Sequence, residues 1–262
     1  MNKIRNLARL LDSVNEKLSP EQDFIGDLKR SIELTDKKNA RKPSQTYKPS
    51  SMKCLRAMFY QVTGVDATDT DSTYCLIGIC NSGTDIHIRI QQAIEDMKDN
   101  DMDCEYIDVA QFIKDRGLDK DIKIIDKSGM ETKLYHEKLN ISFLSDGIIK
   151  YKNHYYILEL KTETSYKFGM RKGVDESHYA QGIAYSYLLN LPEVIFVYIC
   201  RDNLDMKAFM FTPTDEMKQD LISKIVDCDG YVARGEVPPK PEVLTKSQCT
   251  YCSYRKLCES HG

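Results

Sequence analysis

Apolar positions near the start of the chain recur at three- and four-residue spacing, so that Ile4, Leu7, Leu11, Val14 and Leu18 form one helical stripe. Ser19-Pro20 then has the order of an N-cap followed by Pro at the first helical position, opening a second helix through Phe24, Ile25, Leu28 and Ile32. The pattern stops at TDKKNARKPSQTYKPSS, where Lys37, Lys38, Arg41, Lys42 and Lys48 mark a basic linker. Ser51 is placed to cap another helix, carrying Cys54, Leu55, Met58 and Phe59 and ending before Gly64. A longer helix follows, with Gly83, His87, Ile90, Ile94 and Met97 on one face.

From about residue 122 the runs become strand-like: IKII, KLYHEKLNISFLSDGIIKY and YYILELKT. Residues 175–190 read as a helix, VIFVYIC and MKAFMF as strands, and DEMKQDLISKIVDCDGYV as a helix again. Helices, meander strands, helix, strands and helix in that order predict the α/β class, a mixed central β-sheet flanked by helices. The chain divides on this reading into an N-terminal helical extension with its basic linker (1–45), a core (46–237) and a cysteine-rich module (238–262) that opens on Pro238.

The strand YYILELKT carries the chemistry. Its period of two places Tyr155, Ile157, Glu159 and Lys161 on one face, and Tyr156, Leu158, Leu160 and Thr162 on the other. A solvated face accounts for the two charges, except that the same face begins with Tyr155 and Ile157. Upstream, NISFLSDGIIKYKNHYY reads as a hairpin whose pairing brings Asp146 close to Glu159. Two converging carboxylates repel unless a cation lies between them, and hard oxygen ligands suit Mg²⁺ or Mn²⁺. Lys161 is then placed to serve a water and to stabilise a phosphate.

The order Asp146, then Glu159-Leu160-Lys161, then Gln181-x-x-x-Tyr185 on a helix resembles the PD-(D/E)XK nuclease superfamily, in its RecB-like branch, with a restriction-endonuclease-like core. GTDIHIRIQQ resembles that branch's histidine-bearing helix, with His87 in the matching place; taken alone, a histidine on an apolar stripe is a hydrogen-bonded core residue. The resemblance implies that His87, Asp146, Glu159 and the main-chain carbonyl of Leu160 hold one or two metal ions, that Lys161 serves the attacking water, and that Gln181 and Tyr185 position the DNA strand. Asp146 sits in Ser-Asp-Gly here, in place of a Pro-Asp pair.

The tail QCTYCSYRKLCESHG spaces Cys249, Cys252 and Cys258 as C-x2-C-x5-C. Three thiolates leave a four-coordinate site incomplete, and Cys54 or His261 is the candidate to complete it. One upstream cysteine with this tail resembles the iron-sulfur RecB-family nucleases, which include exonucleases of CRISPR adaptation and the nuclease domain of AddB-type proteins. That resemblance implies a 4Fe-4S cluster on Cys54, Cys249, Cys252 and Cys258, closing the tail onto Cys54; Zn²⁺ on the same thiolates is the alternative. Cys75, Cys80, Cys104, Cys200 and Cys228 have no ligand spacing and read as core or incidental.

After the catalytic strand, SYKFGMRKG supplies Lys167, Arg171 and Lys172 for phosphates, with Tyr166 and Phe168 between them to stack on unpaired bases. Lys150, Lys152 and Arg56 are further bases. The implied activity is metal-dependent hydrolysis of DNA phosphodiesters by an exonuclease working in recombination, repair or spacer acquisition. DNA is the implied partner, with a recombination, helicase or CRISPR-adaptation protein as companion. The alternative is a non-catalytic DNA-binding or assembly subunit that keeps the fold and the cluster.

Composition changes little. The 262 residues are 41% hydrophobic and 29% charged with net charge −3, which fits a globular chain and is silent about partners. No run approaches the roughly 20 apolar residues of a membrane span, and the start of the chain lacks the order of a signal peptide, so a cytoplasmic protein with reduced cysteines is expected.

Overall fold

The computed structural model describes residues 19–40, 44–67, 73–128, 131–241, 249 and 252–261. The first helix expected from the sequence, residues 3–18, lies outside them. The chain divides into two compact units, one of residues 1–41 with 71–80, the other of residues 42–70 with 81–262.

The smaller unit is built on α1 (Pro20–Asn39). Ser19 opens it, and the Ser19 N–H donates to Gln22 Oε1 at 3.2 Å, half of a capping box. The helix runs on to Asn39, into the expected basic linker, because Lys37 and Lys38 sit in its last turn, where cations complement the unpaired carbonyls. Glu33 Oε1 accepts from the Tyr74 N–H at 3.0 Å, and the Lys29 ammonium lies 4.8 Å from the Tyr74 ring centre. Phe24, Ile25 and Leu28 of α1 are exposed.

The described part of that segment beyond Ser44 is packed into the fold at Tyr47. Tyr47 is 1% exposed, forms a parallel bridge to Ile141 and donates from its hydroxyl to Asp229 Oδ1 at 2.6 Å. A 3₁₀ turn (Pro49–Ser51) follows, and then α2 (Leu55–Val62), in which Cys54 is the N-cap residue and Ser51 is not. The expected helix therefore starts three residues late, and Cys54 stands at its mouth. α3 (Tyr74–Asp99) matches the long helix expected from the sequence.

The strands separate into two sheets instead of one meander. β1 (Cys104–Ile107) leads into α4 (Val109–Asp115), β2 (Ile122–Ser128), β3 (Glu131–His136), β4 (Ile141–Ser145), β5 (Gly147–Tyr151) and β6 (His154–Glu163). α5 (Ser165–Met170), α6 (Glu176–Leu189), β7 (Val194–Cys200), β8 (Met206–Phe211), α7 (Asp215–Arg234) and α8 (Arg255–Ser260) complete the chain. The larger sheet has the order β1-β5-β6-β7-β8, antiparallel except for the parallel pair β6–β7, and β2-β3-β4 form a second, antiparallel sheet.

The fold is thus a mixed central β-sheet with flanking helices, as the sequence predicts. Both faces of β6 are covered, which removes the solvated-face reading of its charges. Ile157 lies in the main core with Val194, Phe196, Tyr198, Ala184 and Leu188. Leu158 and Leu160, on the opposite face, pack with Ile86, Ile149 and Ile199, joined by Ile90, Ile94 and Met97 of α3.

Candidate active site

Asp146 is the hinge between the two sheets. It follows β4 of one and precedes β5 of the other, and the pairing of Gly147 with Leu158 sets it beside the middle of β6. Gly147 has φ of 150°, and a Cβ there would come within 2.6 Å of Tyr106 Cε2, so the residue after Asp146 is glycine on both counts. The sharp change of direction frees the Asp146 carboxylate from either ladder. Its Oδ2 accepts from the Leu160 N–H at 2.8 Å, and its main-chain carbonyl accepts from the buried Gln91 side chain of α3 at 2.7 Å.

Glu159 is 2% exposed. Its Oε1 accepts from Lys161 Nζ at 2.5 Å and from Gln181 Nε2 at 2.7 Å, and Lys161 also donates to Gln181 Oε1 at 2.9 Å. Gln181 Nε2 reaches Tyr185 Oη at 2.9 Å, and the Tyr185 hydroxyl donates to the Leu144 carbonyl at 2.6 Å. One turn of α6 therefore ties β6 to the end of β4, through residues that the sequence grouped as catalytic. Glu159 Oε2, by contrast, is buried with no partner among the described residues. Burial, and next the charge of Asp146, push the Glu159 carboxyl up to about 8 against the opposing pull of Lys161 and Gln181. A buried oxygen of this kind calls for a cation or a donor.

His87 of α3 approaches from the far side, with Nδ1 3.6 Å from Asp146 Oδ1. The third residue of that group is Glu131, at the start of β3: ligand atoms of His87, Glu131 and Asp146 all lie within 4.8 Å of one another. Burial and the Asp146 charge raise the Glu131 carboxyl, which His87 partly offsets. Glu131 was missed in the sequence because it stands ahead of the run read as strand, in no motif spacing with Asp146. Only the pairing of β3 with β4, which sets Thr132 opposite Ser145, brings it to Asp146. The group so formed holds His87 and Asp146 as expected, with Glu131 in it, while Glu159 stands alongside, engaged by Lys161 and Gln181.

Cys54, Cys249, Cys252 and Cys258 all line one cavity of about 200 Å³, together with Lys53, Arg56, Tyr60 and Lys240. The four thiols interact electrostatically with one another, and burial raises Cys249 and Cys252. His261 is turned to Tyr60, its Nδ1 2.8 Å from the Tyr60 hydroxyl. Arg56, which the sequence offered to phosphates, is 4% exposed; it donates to the Pro238 carbonyl at 2.8 Å, the Cys258 carbonyl at 3.1 Å and Cys258 Sγ at 3.6 Å. Of the other five cysteines, Cys104, Cys200 and Cys228 are buried and Cys75 and Cys80 exposed.

Two more of the expected DNA contacts are committed inside the fold. Arg171 forms a two-pronged pair with Glu163, at 3.1 and 2.8 Å, and reaches Asp175 at 3.1 Å with its guanidinium over the Tyr198 ring. Phe168 is 7% exposed and capped by the Lys207 ammonium, so it is not free to stack on a base. Hydrophobic burial and a bidentate partner outcompete solvent for these two side chains. Lys167, Lys172 and Tyr166 are exposed.

The chain is a mixed α/β protein in which two sheets meet at a carboxylate site and three cysteines of the tail line a cavity with Cys54. Its fold is similar to that in the crystal structure of SSO0001, with a TM-score of 0.50 and 16% identity over 91% of this chain and 98% of that one. The crystal structure of LHK-Exo in complex with dAMP aligns over 73% of this chain and 89% of that chain, with a TM-score of 0.38 and 10% identity. No protein-family model matches the chain, and no curated protein does. Among the described residues no helix is long and apolar enough to cross a membrane.

Proposed function

We propose that this protein is a divalent-metal-dependent deoxyribonuclease that hydrolyses phosphodiester bonds, acting as an exonuclease on DNA ends. The observation that carries the reading is the buried, unpartnered Glu159 Oε2 next to Asp146, with Lys161 and Gln181 hydrogen-bonded on the other oxygen. Asp146, Glu159, His87, Glu131 and the Leu160 carbonyl are the residues that would hold Mg²⁺ or Mn²⁺. Hard oxygen donors and one imidazole, crowded at a sheet junction, suit such an ion and leave the carboxylates mutually repelled without it. The ion when bound supplies Lewis acidity to a phosphoryl oxygen and acidity to a water.

The chain's own residues supply the rest. Lys161 presents an ammonium held by two acceptors, Glu159 and Gln181, so its position is fixed before substrate arrives. It orients the attacking water and offsets negative charge developing on the phosphoryl oxygens. Gln181 holds both partners of that pair, and Tyr185 anchors Gln181 to Leu144. Exposed Lys167 and Lys172 carry the neighbouring phosphates, and Tyr166 is free to stack on a base.

The cysteine cavity supports a 4Fe-4S cluster over a single zinc ion. Four cysteines lining one cavity are the ligand set that a 4Fe-4S cluster takes, and the C-x2-C-x5-C spacing with an upstream Cys54, which resembles the iron-sulfur nucleases, favours the cluster over zinc on the same thiolates.

The test is to purify the protein without oxygen, record its absorbance near 400 nm and incubate it with end-labelled single- and double-stranded DNA in Mn²⁺, Mg²⁺ or EDTA. Cutting that needs the cation and disappears in Glu159→Ala and Lys161→Ala is the expected result. Wild-type protein with no more activity than those variants sinks the nuclease reading. A colourless protein holding zinc sinks the cluster and leaves the nuclease standing.

A further inference from the structure

Lys53 lies between the two sites. The 3₁₀ turn before it packs on α6, the helix that carries Gln181 and Tyr185. Met52 is fully buried, and its carbonyl accepts from Lys224 at 3.4 Å. Cys54, after it, is one of the four cysteines around the cavity. A single exposed residue is therefore held between a buried anchor on one side and a candidate cluster ligand on the other.

Its side chain lines the cysteine cavity, and its ammonium is also within electrostatic reach of Lys161, Asp175 and His178. No hydrogen bond or ion pair holds it among the described residues, whereas Lys161 is engaged by Glu159 and Gln181, Arg171 by Glu163 and Asp175, and Arg56 by the tail. His178 contributes no charge at neutral pH, since burial and then Lys161 push it down to about 3. Two neighbouring ammoniums repel, and an anion between them turns that cost into attraction. On the nuclease reading, the anion that arrives there is a DNA phosphate.

We infer that Lys53 is a substrate-binding residue that contacts a DNA phosphate beside Lys161, and that ligation of Cys54 in the cysteine cavity sets its position. The inference rests on the nuclease reading and adds to it a link between the two sites. Occupancy of the cavity governs DNA affinity through one residue, because releasing Cys54 lets the chain at Lys53 move away from Lys161.

Binding separates this from the activity itself. Fluorescence anisotropy of a labelled single-stranded oligonucleotide, with Ca²⁺ in place of Mn²⁺, is followed from about 50 to 200 mM salt for wild type, Lys53→Gln and Lys53→Arg. Losing one phosphate contact makes the slope of log K against log salt shallower by about 0.7. Lys53→Gln is expected to show that change with absorbance near 400 nm and iron content unaltered, and to raise KM more than it lowers kcat; Lys53→Arg restores the slope. Cluster-free wild type and Cys252→Ser are expected to show the same loss of slope, with Lys53→Gln adding nothing further in either. If wild type cuts DNA and Lys53→Gln keeps the full slope, the inference is wrong and the nuclease reading survives. If Lys53→Gln loses slope in loaded and cluster-free protein alike, the coupling is wrong. Wild type that neither binds nor cuts DNA overturns both.

Discussion

Proton release on metal binding follows from Glu159. In the metal-free protein burial and Asp146 push its carboxyl up to about 8, outweighing Lys161 and Gln181. A divalent cation takes the ionised form, so below pH 8 each ion bound through Glu159 must displace a proton. With a value near 8 the ionised fraction is about 0.01 at pH 6 and about 0.5 at pH 8, so the apparent Mn²⁺ affinity should rise about fiftyfold, or about 2 kcal/mol, across that interval. Titration calorimetry at pH 7 in two buffers of different ionisation enthalpy should count close to one proton released per ion through this group. Glu159→Gln should bind more weakly and release one proton fewer. Stability runs with it: a carboxyl raised in the folded state favours folding least above its folded value, so metal-free wild type should lose stability relative to Glu159→Gln as pH rises from about 4.5 to 8. That loss is on the order of 5 kcal/mol at most. Equal proton counts in wild type and Glu159→Gln, with the same affinity at pH 6 and pH 8, would refute the assignment of Glu159 to the ion.

Three further outcomes are expected. Glu131→Gln should weaken Mn²⁺ binding roughly tenfold or more while the fold, followed by circular dichroism, holds, since Glu131 groups with His87 and Asp146. Unchanged affinity would remove Glu131 from the centre. Arg171→Ala should cost about 3–5 kcal/mol in urea unfolding, because it strands the buried Glu163, and should leave the salt dependence of DNA binding intact. Gly182→Ala puts a Cβ 2.8 Å from Phe211 Cδ1 and 3.1 Å from Phe196 Cζ, which should cost about 1–3 kcal/mol and lower kcat by shifting α6, and with it Gln181, away from Lys161; a variant as stable and as active as wild type would show that α6 absorbs the methyl.

Local pattern determined much of this protein. The apolar periods of α3 and α7 and the apolar runs of β6 to β8 mark those elements with little error, because each buries a stripe or a face that its own spacing defines. The ordered set of Asp146, Glu159, Lys161 and Gln181 was legible through its resemblance to a nuclease motif, since the charges on the strand alone left a solvated face open. A second resemblance set Cys54 with three cysteines nearly two hundred residues away, and the structure brings all four to one cavity.

What no local pattern contains is which elements meet. Glu131 joins Asp146 only because β3 pairs with β4 in a second sheet, while Asp146 turns the chain into the first. Arg171 and Phe168 stand in the sequence among free bases and rings, yet a facing Glu163 and the Lys207 ammonium hold them within the fold. Lys53 looks like any surface lysine until the buried Met52 and Cys54 fix it on either side. Periodicity records how a residue faces its own element, and so the sequence determined the elements and the chemistry set into β6. Partners come from packing between segments far apart in the chain, so the tertiary structure alone decided which carboxylates come together and which cations stay exposed.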